Sequence, residues 1–167
     1  MSNQKDSLHT LSALVGNKPG VLARIAQIFA RRGFNIDSLV VSPARDGAYS
    51  RMTIGTCGTP DGLVQIIASV NKLVDVIHCY DHTFDNAVVK ELALVKLKFT
   101  PQERSEVFQI AEHFKSNSED LTDTSIILMA TGSTEKIDSL LRMLKKFTII
   151  EMVRTGKVVM VRGEETT

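Results

Sequence analysis

Two stretches of this chain hold residues whose types and spacing could do chemistry. The first, Val76-Ile77-His78-Cys79-Tyr80-Asp81-His82, gathers two histidines, a cysteine and an aspartate, the side chains from which metal sites are made. On a strand, His78, Tyr80 and His82 share one face, while Cys79 and Asp81 share the other. His78 and His82 then lie about 13 Å apart, whereas one ion needs ligands converging within about 2–2.3 Å of it. A strand with one polar face is the better reading, and no metal is expected. The second stretch, Val15-Gly16-Asn17-Lys18-Pro19-Gly20-Val21-Leu22, crowds an Asn, a Pro and a Gly into a turn between an apolar strand and an amphipathic helix. A helix N-terminus carries unpaired N–H groups and partial positive charge, which suit a small anion such as a carboxylate. Asn17 is placed to cap that helix or to offer its amide to a ligand. Gly20, with no Cβ, lets a ligand lie against the backbone. Read alone, the turn serves equally well as an ordinary connection punctuated by Pro and Gly.

The remaining candidates are weaker. Cys57 precedes the Thr59-Pro60 helix start, where a dipole could lower a thiol pKa, but no histidine base or oxyanion site accompanies it. Asp46 and Asp75 have no second carboxylate at a spacing that points to acid–base work; they read as a turn residue and a solvated charge. Arg31-Arg32 and Lys145-Lys146 read as charges at helix C-termini. Aromatic residues are sparse and tryptophan is absent, which argues against stacking on nucleic-acid bases. The glycines form neither a dinucleotide nor a phosphate-loop pattern. No catalytic residue is assigned.

The bulk properties agree with a small binding protein. Twenty Lys and Arg against 19 Asp and Glu give the 167-residue chain a net charge of +1, so neither DNA nor an anionic membrane is an expected partner. No apolar run approaches a bilayer span, and Met1 to Ser7 lack the apolar core of a signal peptide. Two cysteines are too few for a disulfide framework. The expected location is the cytoplasm.

The elements that must position these residues follow from periodicity. Residues 8–15 alternate as a half-buried strand. Val21, Leu22, Ile25, Ile28 and Phe29 form a helical stripe that ends at Arg31-Arg32-Gly33, cations followed by a left-handed glycine. Residues 34–43 and 49–57 read as strands around the Asp46-Gly47 hairpin turn. Thr59-Pro60 starts a second helix, and residues 74–83 a fourth strand. The order is βαββαβ. A looser copy follows: a strand over 92–99, a Thr100-Pro101-Gln102-Glu103 capping box opening a helix, a strand over 125–131, a helix through Ile137, Leu140, Leu141 and Leu144, then strands over 149–155 and 158–161. Ser116 to Asp120 lacks apolar alternation and is read as an edge strand, a loop or local disorder. The boundary between copies falls near Phe84-Asp85-Asn86-Ala87. The class is α+β, two tandem ferredoxin-like βαββαβ units, with domains expected over 1–84 and 88–163.

A second asparagine, in Gly33-Phe34-Asn35-Ile36, opens the next strand at the far end of the first helix. It could reach a ligand at the first turn from a second chain. Two neutral amides suit a zwitterion, each offering a donor to a carboxylate and an acceptor to an ammonium. Asn17-Lys18-Pro19-Gly20-Val21-Leu22, Arg32-Gly33-Phe34-Asn35-Ile36, Ser50-Arg51-Met52-Thr53-Ile54 and Lys72-Leu73-Val74-Asp75-Val76 together resemble the regulatory small-subunit family of acetolactate synthase (acetohydroxyacid synthase). The likeness continues through Glu91 to Lys96, Thr131-Gly132, Lys136-Ile137-Asp138, Arg154-Thr155-Gly156 and Arg162-Gly163, nearly the whole chain.

The resemblance implies an N-terminal ACT domain, an amino-acid-sensing module that pairs into a homodimer, and a C-terminal ferredoxin-like domain. It implies no active site in this chain. The partner would be a large catalytic subunit dependent on thiamine diphosphate, with Mg and FAD also expected there. The small subunit would activate that partner and make it sensitive to a branched-chain amino acid, usually valine, bound between two ACT domains. Carried over by motif, Asn17, Gly20, Val21 and Leu22 would line the turn, with Asn35 and Ile36 coming from the other chain. Discrimination among valine, leucine and isoleucine would be modest, because one methylene is worth only about 1–3 kcal/mol. A free-standing ACT-type sensor acting on another enzyme or on transcription is the alternative. The second half departs from the family pattern at Ser118-Glu119, where an apolar strand is usual, and at Thr148, Lys90 and Val153, where Gly, Arg and a small residue are usual.

Overall fold

A computed structural model describes residues 7–83 and 86–167. Phe84 and Asp85, within the expected boundary, and residues 1–6 lie outside the described residues. The elements are β1 (Ser7–Gly16), α1 (Val21–Arg31), β2 (Ser38–Pro43), β3 (Tyr49–Gly58), α2 (Pro60–Val70) and β4 (Val76–Asp81), followed by β5 (Ala87–Lys98), α3 (Arg104–His113), β6 (Asn117–Leu121), β7 (Ser125–Gly132), α4 (Thr134–Leu144), β8 (Thr148–Arg154) and β9 (Val158–Val161). The first sheet has the order β2-β3-β1-β4 and the second β6-β7-β5-β8, with β9 also paired to β5. Strand for strand the two orders correspond, and the pairings within both are antiparallel. The α+β class with two tandem ferredoxin-like units is therefore the fold.

The chain divides into two compact units, residues 1–88 with 157–167, and residues 89–156. Each has its own apolar core, as a sheet with helices on one face requires. In the first, Leu11, Ala13 and Val15 of β1 meet Val21, Ile25 and Phe29 of α1 and Leu63, Ile66 and Val70 of α2. In the second, Ala93, Val95 and Leu97 of β5 meet Val107, Ile110 and Ala111 of α3 and Ile137, Leu140 and Leu144 of α4. These are the alternate strand positions and helical stripes visible in the sequence.

Local chemistry sets most boundaries. Thr59 accepts a hydrogen bond from Gly62 N at 3.3 Å, with Pro60 at the first helical position. Gly33 takes a left-handed φ of 73° after α1, and Gly47 one of 70° in the β2–β3 hairpin. Four extents differ from expectation. β2 begins at Ser38 rather than 34: the Asn35 side chain donates to Asp37 Oδ1 at 2.7 Å, a local bond that competes with a ladder, and Thr56 Oγ1 of β3 donates to the Asn35 carbonyl at 2.6 Å in place of a backbone N–H. β4 is confined to 76–81, and β5 starts earlier, at Ala87. α3 starts at Arg104, after a turn over 101–103.

Residues 117–121 form the edge strand among the three readings open for that segment, and all five are exposed. Pairing to β7 orders them in place of a buried face, and their polarity blunts the open edge. On β4, Asn71 supplies Oδ1 to Cys79 N at 2.7 Å and donates Nδ2 to Cys79 O at 3.0 Å. Among the described residues, no helix is long and apolar enough to cross a membrane.

Candidate functional site

The turn between β1 and α1 is held from two sides. Asn17 N donates to Ala48 O at 2.9 Å and Asn17 Nδ2 to Gly47 O at 3.0 Å, so the β2–β3 hairpin supports one flank. Gly16 N donates to Asp75 O at 2.7 Å, so the segment entering β4 supports the other. Gly20 closes the turn as the residue preceding α1, with φ 84° and ψ −10°. A side chain is strained in that left-handed conformation, which is why glycine stands there.

Asn17 does not cap α1, contrary to one of its two expected roles. No side chain caps this helix, and its first turn contains no acidic residue. Asn17 turns its amide to the hairpin because Pro19 and the left-handed Gly20 intervene between it and the first helical N–H groups. α2 and α4, by contrast, are capped by Thr59 and Ser133. The helix-entry N–H groups and positive dipole end of α1 thus remain the natural place for an outside anion.

Asn17, Lys18, Pro19, Gly20 and Leu22 are exposed at this turn. Val21 is 2% exposed and its side chain belongs to the core, so it can offer a ligand only its backbone. Asn35 and Ile36 follow α1, at its other end. Eleven helical residues separate the ends by about 16 Å. One chain therefore brings Asn17, Gly20, Val21 and Leu22 together and leaves Asn35 and Ile36 apart from them.

Three charged residues near the turn were not apparent as a group from the sequence. Arg24, one helical turn after Gly20, pairs its guanidinium with Asp75, and Lys18 Nζ lies 3.5 Å from Asp75 Oδ1. Arg24 Nη1 is 3.5 Å from the point a Cβ on Gly20 would occupy, so this cation hangs over the turn. Asp75 is thus a paired anion rather than the solvated charge the sequence indicated. Its side chain is 20% exposed, against 71% for Lys18 and 46% for Arg24. The i, i+4 spacing of Gly20 and Arg24 was the available signal; Asp75 is too distant in sequence to have supplied one.

The other candidates settle into structural roles. His78 stacks on Tyr80 with ring centroids 5.0 Å apart, and His82 meets Tyr80 edge-on at 6.5 Å. His82 Nε2 is 2.7 Å from Ser12 Oγ, and His78 Nε2 is 3.3 Å from Thr167 O. Among the described residues, no group of three or more His, Cys, Asp and Glu side chains could hold a metal ion. Cys79 lies in the core, and burial, helped by the nearby Asp81 charge, pushes its thiol up to about 12, away from nucleophilic use. Cys57 is exposed at the end of β3. Asp46 accepts from Ala48 N at 3.2 Å, a turn residue as read. Arg32 donates to Gln65 and Ser69 on α2, and Lys146 pairs with Glu106 on α3.

Comparison with known proteins adds to this geometry. The family model described as the AHAS small subunit-like ACT domain matches residues 11–78, and the model described as the small subunit of acetolactate synthase matches residues 90–163. A probable acetolactate synthase small subunit of Archaeoglobus fulgidus is 39% identical over 157 residues, covering 94% of this chain and 98% of the relative. The acetolactate synthase small subunit of Mycolicibacterium smegmatis is 41% identical, covering 93% of this chain and 91% of the relative. The crystal structure of the small subunit from Thermotoga maritima superposes with a TM-score of 0.86 at 34% identity, covering 95% of this chain and 99% of that one. With one ordered core per matched region and an uncapped turn in the first, the chain belongs to the acetolactate synthase small-subunit family.

Proposed function

We propose that this chain is the regulatory, non-catalytic subunit of an acetolactate synthase, and that it binds valine between the ACT domains of two copies. Bound valine lowers the activity of a large, thiamine-diphosphate-dependent subunit that the small subunit otherwise activates. The observation that carries this reading is the α1 entry turn: a left-handed glycine, no capping side chain and no acidic residue in the first helical turn. The helix N-terminus receives the valine carboxylate, amide groups receive its ammonium, and apolar groups around Ile36 of the second copy enclose its side chain.

The topology supports a shared site. β2 pairs with β3 and forms one edge of the first sheet, and Asn35 and Ile36 lead directly into it. Antiparallel pairing of β2 with the same strand of a second copy sets the start of one beside the end of the other. Asn35 and Ile36 then approach the partner's 44–48 hairpin, the hairpin on which Asn17 rests. Coupling to the catalytic subunit is reciprocal, so the state of that subunit changes valine affinity by the factor by which valine changes it.

Mixed dimers test the division of the site. Gly20→Asp and Asn35→Ala each damage both sites of a homodimer, but a dimer of one variant chain with the other retains one intact site. Calorimetric titration with valine should show weak binding by either variant alone and about half the wild-type stoichiometry in the mixed dimer. No recovery on mixing would place Asn35 outside the site. Co-purification with a large thiamine-dependent protein separates this function from that of a free-standing sensor.

A further inference from the structure

Asp75 ties together three points of the entry turn. Its backbone carbonyl accepts from Gly16 N at 2.7 Å, and its carboxylate engages both Arg24 and Lys18. The two cations flank Gly20 in sequence, and Arg24 Nη1 lies over the position of its missing Cβ. A carboxylate arriving at the N-terminus of α1 therefore meets a guanidinium already committed to another carboxylate. Both cations are substantially exposed and sit on flexible stems, so they can change partner without disturbing the core.

We propose that Asp75 competes with the incoming carboxylate for Arg24 and Lys18, so that ligand entry exchanges one ion pair for another. The inference rests on the valine site of the preceding subsection and identifies how that site is set. Arg24 becomes a specificity-determining residue for the carboxylate, and Asp75 holds affinity down while the site is empty. The exchange also reaches beyond the turn. Asp75 immediately precedes β4, and Val76 pairs with Val15 of β1, so releasing its side chain loosens the tie between the start of α1 and the entry to β4.

Valine titration of the full-length chain tests the exchange. Asp75→Asn keeps the backbone carbonyl that Gly16 uses and should tighten valine binding about two- to fivefold, the scale of an exposed ion pair. Valinamide, which lacks the carboxylate, should show no gain. In a Lys18→Gln/Arg24→Gln background the gain from Asp75→Asn should disappear. Unchanged or weaker binding by Asp75→Asn overturns the proposal, and so does a gain that persists without the two cations, which would mean simple repulsion. In the wild-type chain, the Arg24 Nε–H resonance should move on saturation with valine; a fixed resonance overturns the exchange independently of any variant. A wild-type chain that binds no valine overturns the site itself, an outcome distinct from the others.

Discussion

The first strand-to-helix turn of each unit occupies the same place in the same topology, yet the two turns use their polar groups in opposite ways. In the first unit, Asn17 to Gly20 leaves α1 uncapped and gathers two cations beside it. In the second, Glu103 Oε2 accepts from Thr100 N at 2.7 Å and from Thr100 Oγ1 at 2.8 Å, setting a carboxylate of the chain's own at the entry to α3. Toward the other end of β5, Glu91 accepts from Thr134 Oγ1 and from Arg154 Nε, and Arg154 also donates to Asp138. Burial works against the charge of Arg154, but its bonds and attraction to Glu91 and Asp138 outweigh that and hold the guanidinium above its ordinary value. In the second unit Glu91, Asp138 and Arg154 pair with one another, while α3, like α1, has no capping side chain. In the first, two exposed cations share a single carboxylate, Asp75, beside an uncapped helix entry, so the same topology carries a different charge arrangement in each half.

The contrast can be broken most sharply at Glu91, which is 4% exposed. Glu91→Gln should cost roughly 2–3 kcal/mol of stability, less than a fully broken buried pair because Asp138 still holds Arg154. Denaturant unfolding checks the loss, and valine affinity per folded chain should stay the same. Gly20→Asp should weaken valine binding on the order of fiftyfold, through left-handed strain and a negative charge at the helix entry. Gly20→Asn separates these effects: it should lose less, and an equal loss in titration would assign the effect to bulk alone. Ser133→Ala, which removes the cap on Lys136 N, should cost about 1 kcal/mol in thermal unfolding with no change in valine affinity.

The smallest effect concerns pH. The bonds from Thr100 N and then Thr100 Oγ1 hold the Glu103 carboxyl below its ordinary value of 4.5. A group depressed in the folded state contributes its stability above the unfolded value and loses it as pH falls through the folded one. The melting temperature should therefore fall more steeply below about pH 4.5 in the wild type than in Glu103→Gln. Identical slopes would show that the Thr100–Glu103 bonds contribute nothing to folding.

Much of the fold was legible because its boundaries are local. Thr59-Pro60 and Arg31-Arg32-Gly33 mark helix ends by chemistry within a few residues, and the apolar stripes show which faces become core. Two of the misread boundaries, at β2 and α3, were set by competing side chains. Asn35 and Asp37 hold each other out of the start of β2, and Glu103 folds back on Thr100, so the expected first turn of α3 is a turn before the helix. The site was half legible for a related reason. Gly20 and Asn17 announce a tight turn, but the carbonyls that take up Asn17 lie in a hairpin 30 residues away, and Asp75 meets Arg24 across 51 residues. Contacts of that range follow from sheet order, which periodicity does not specify.

The paired bonds from Asn71 to Cys79 bear on where the first sheet can be extended. A side-chain amide there imitates the peptide unit of an added strand and occupies both backbone groups of Cys79 along β4. A neighbouring sheet seeking that border would have to displace it first. The amide thus gives the first sheet a polarity of growth: extension past β4 is discouraged, and β2 is left as the edge where a strand can be added.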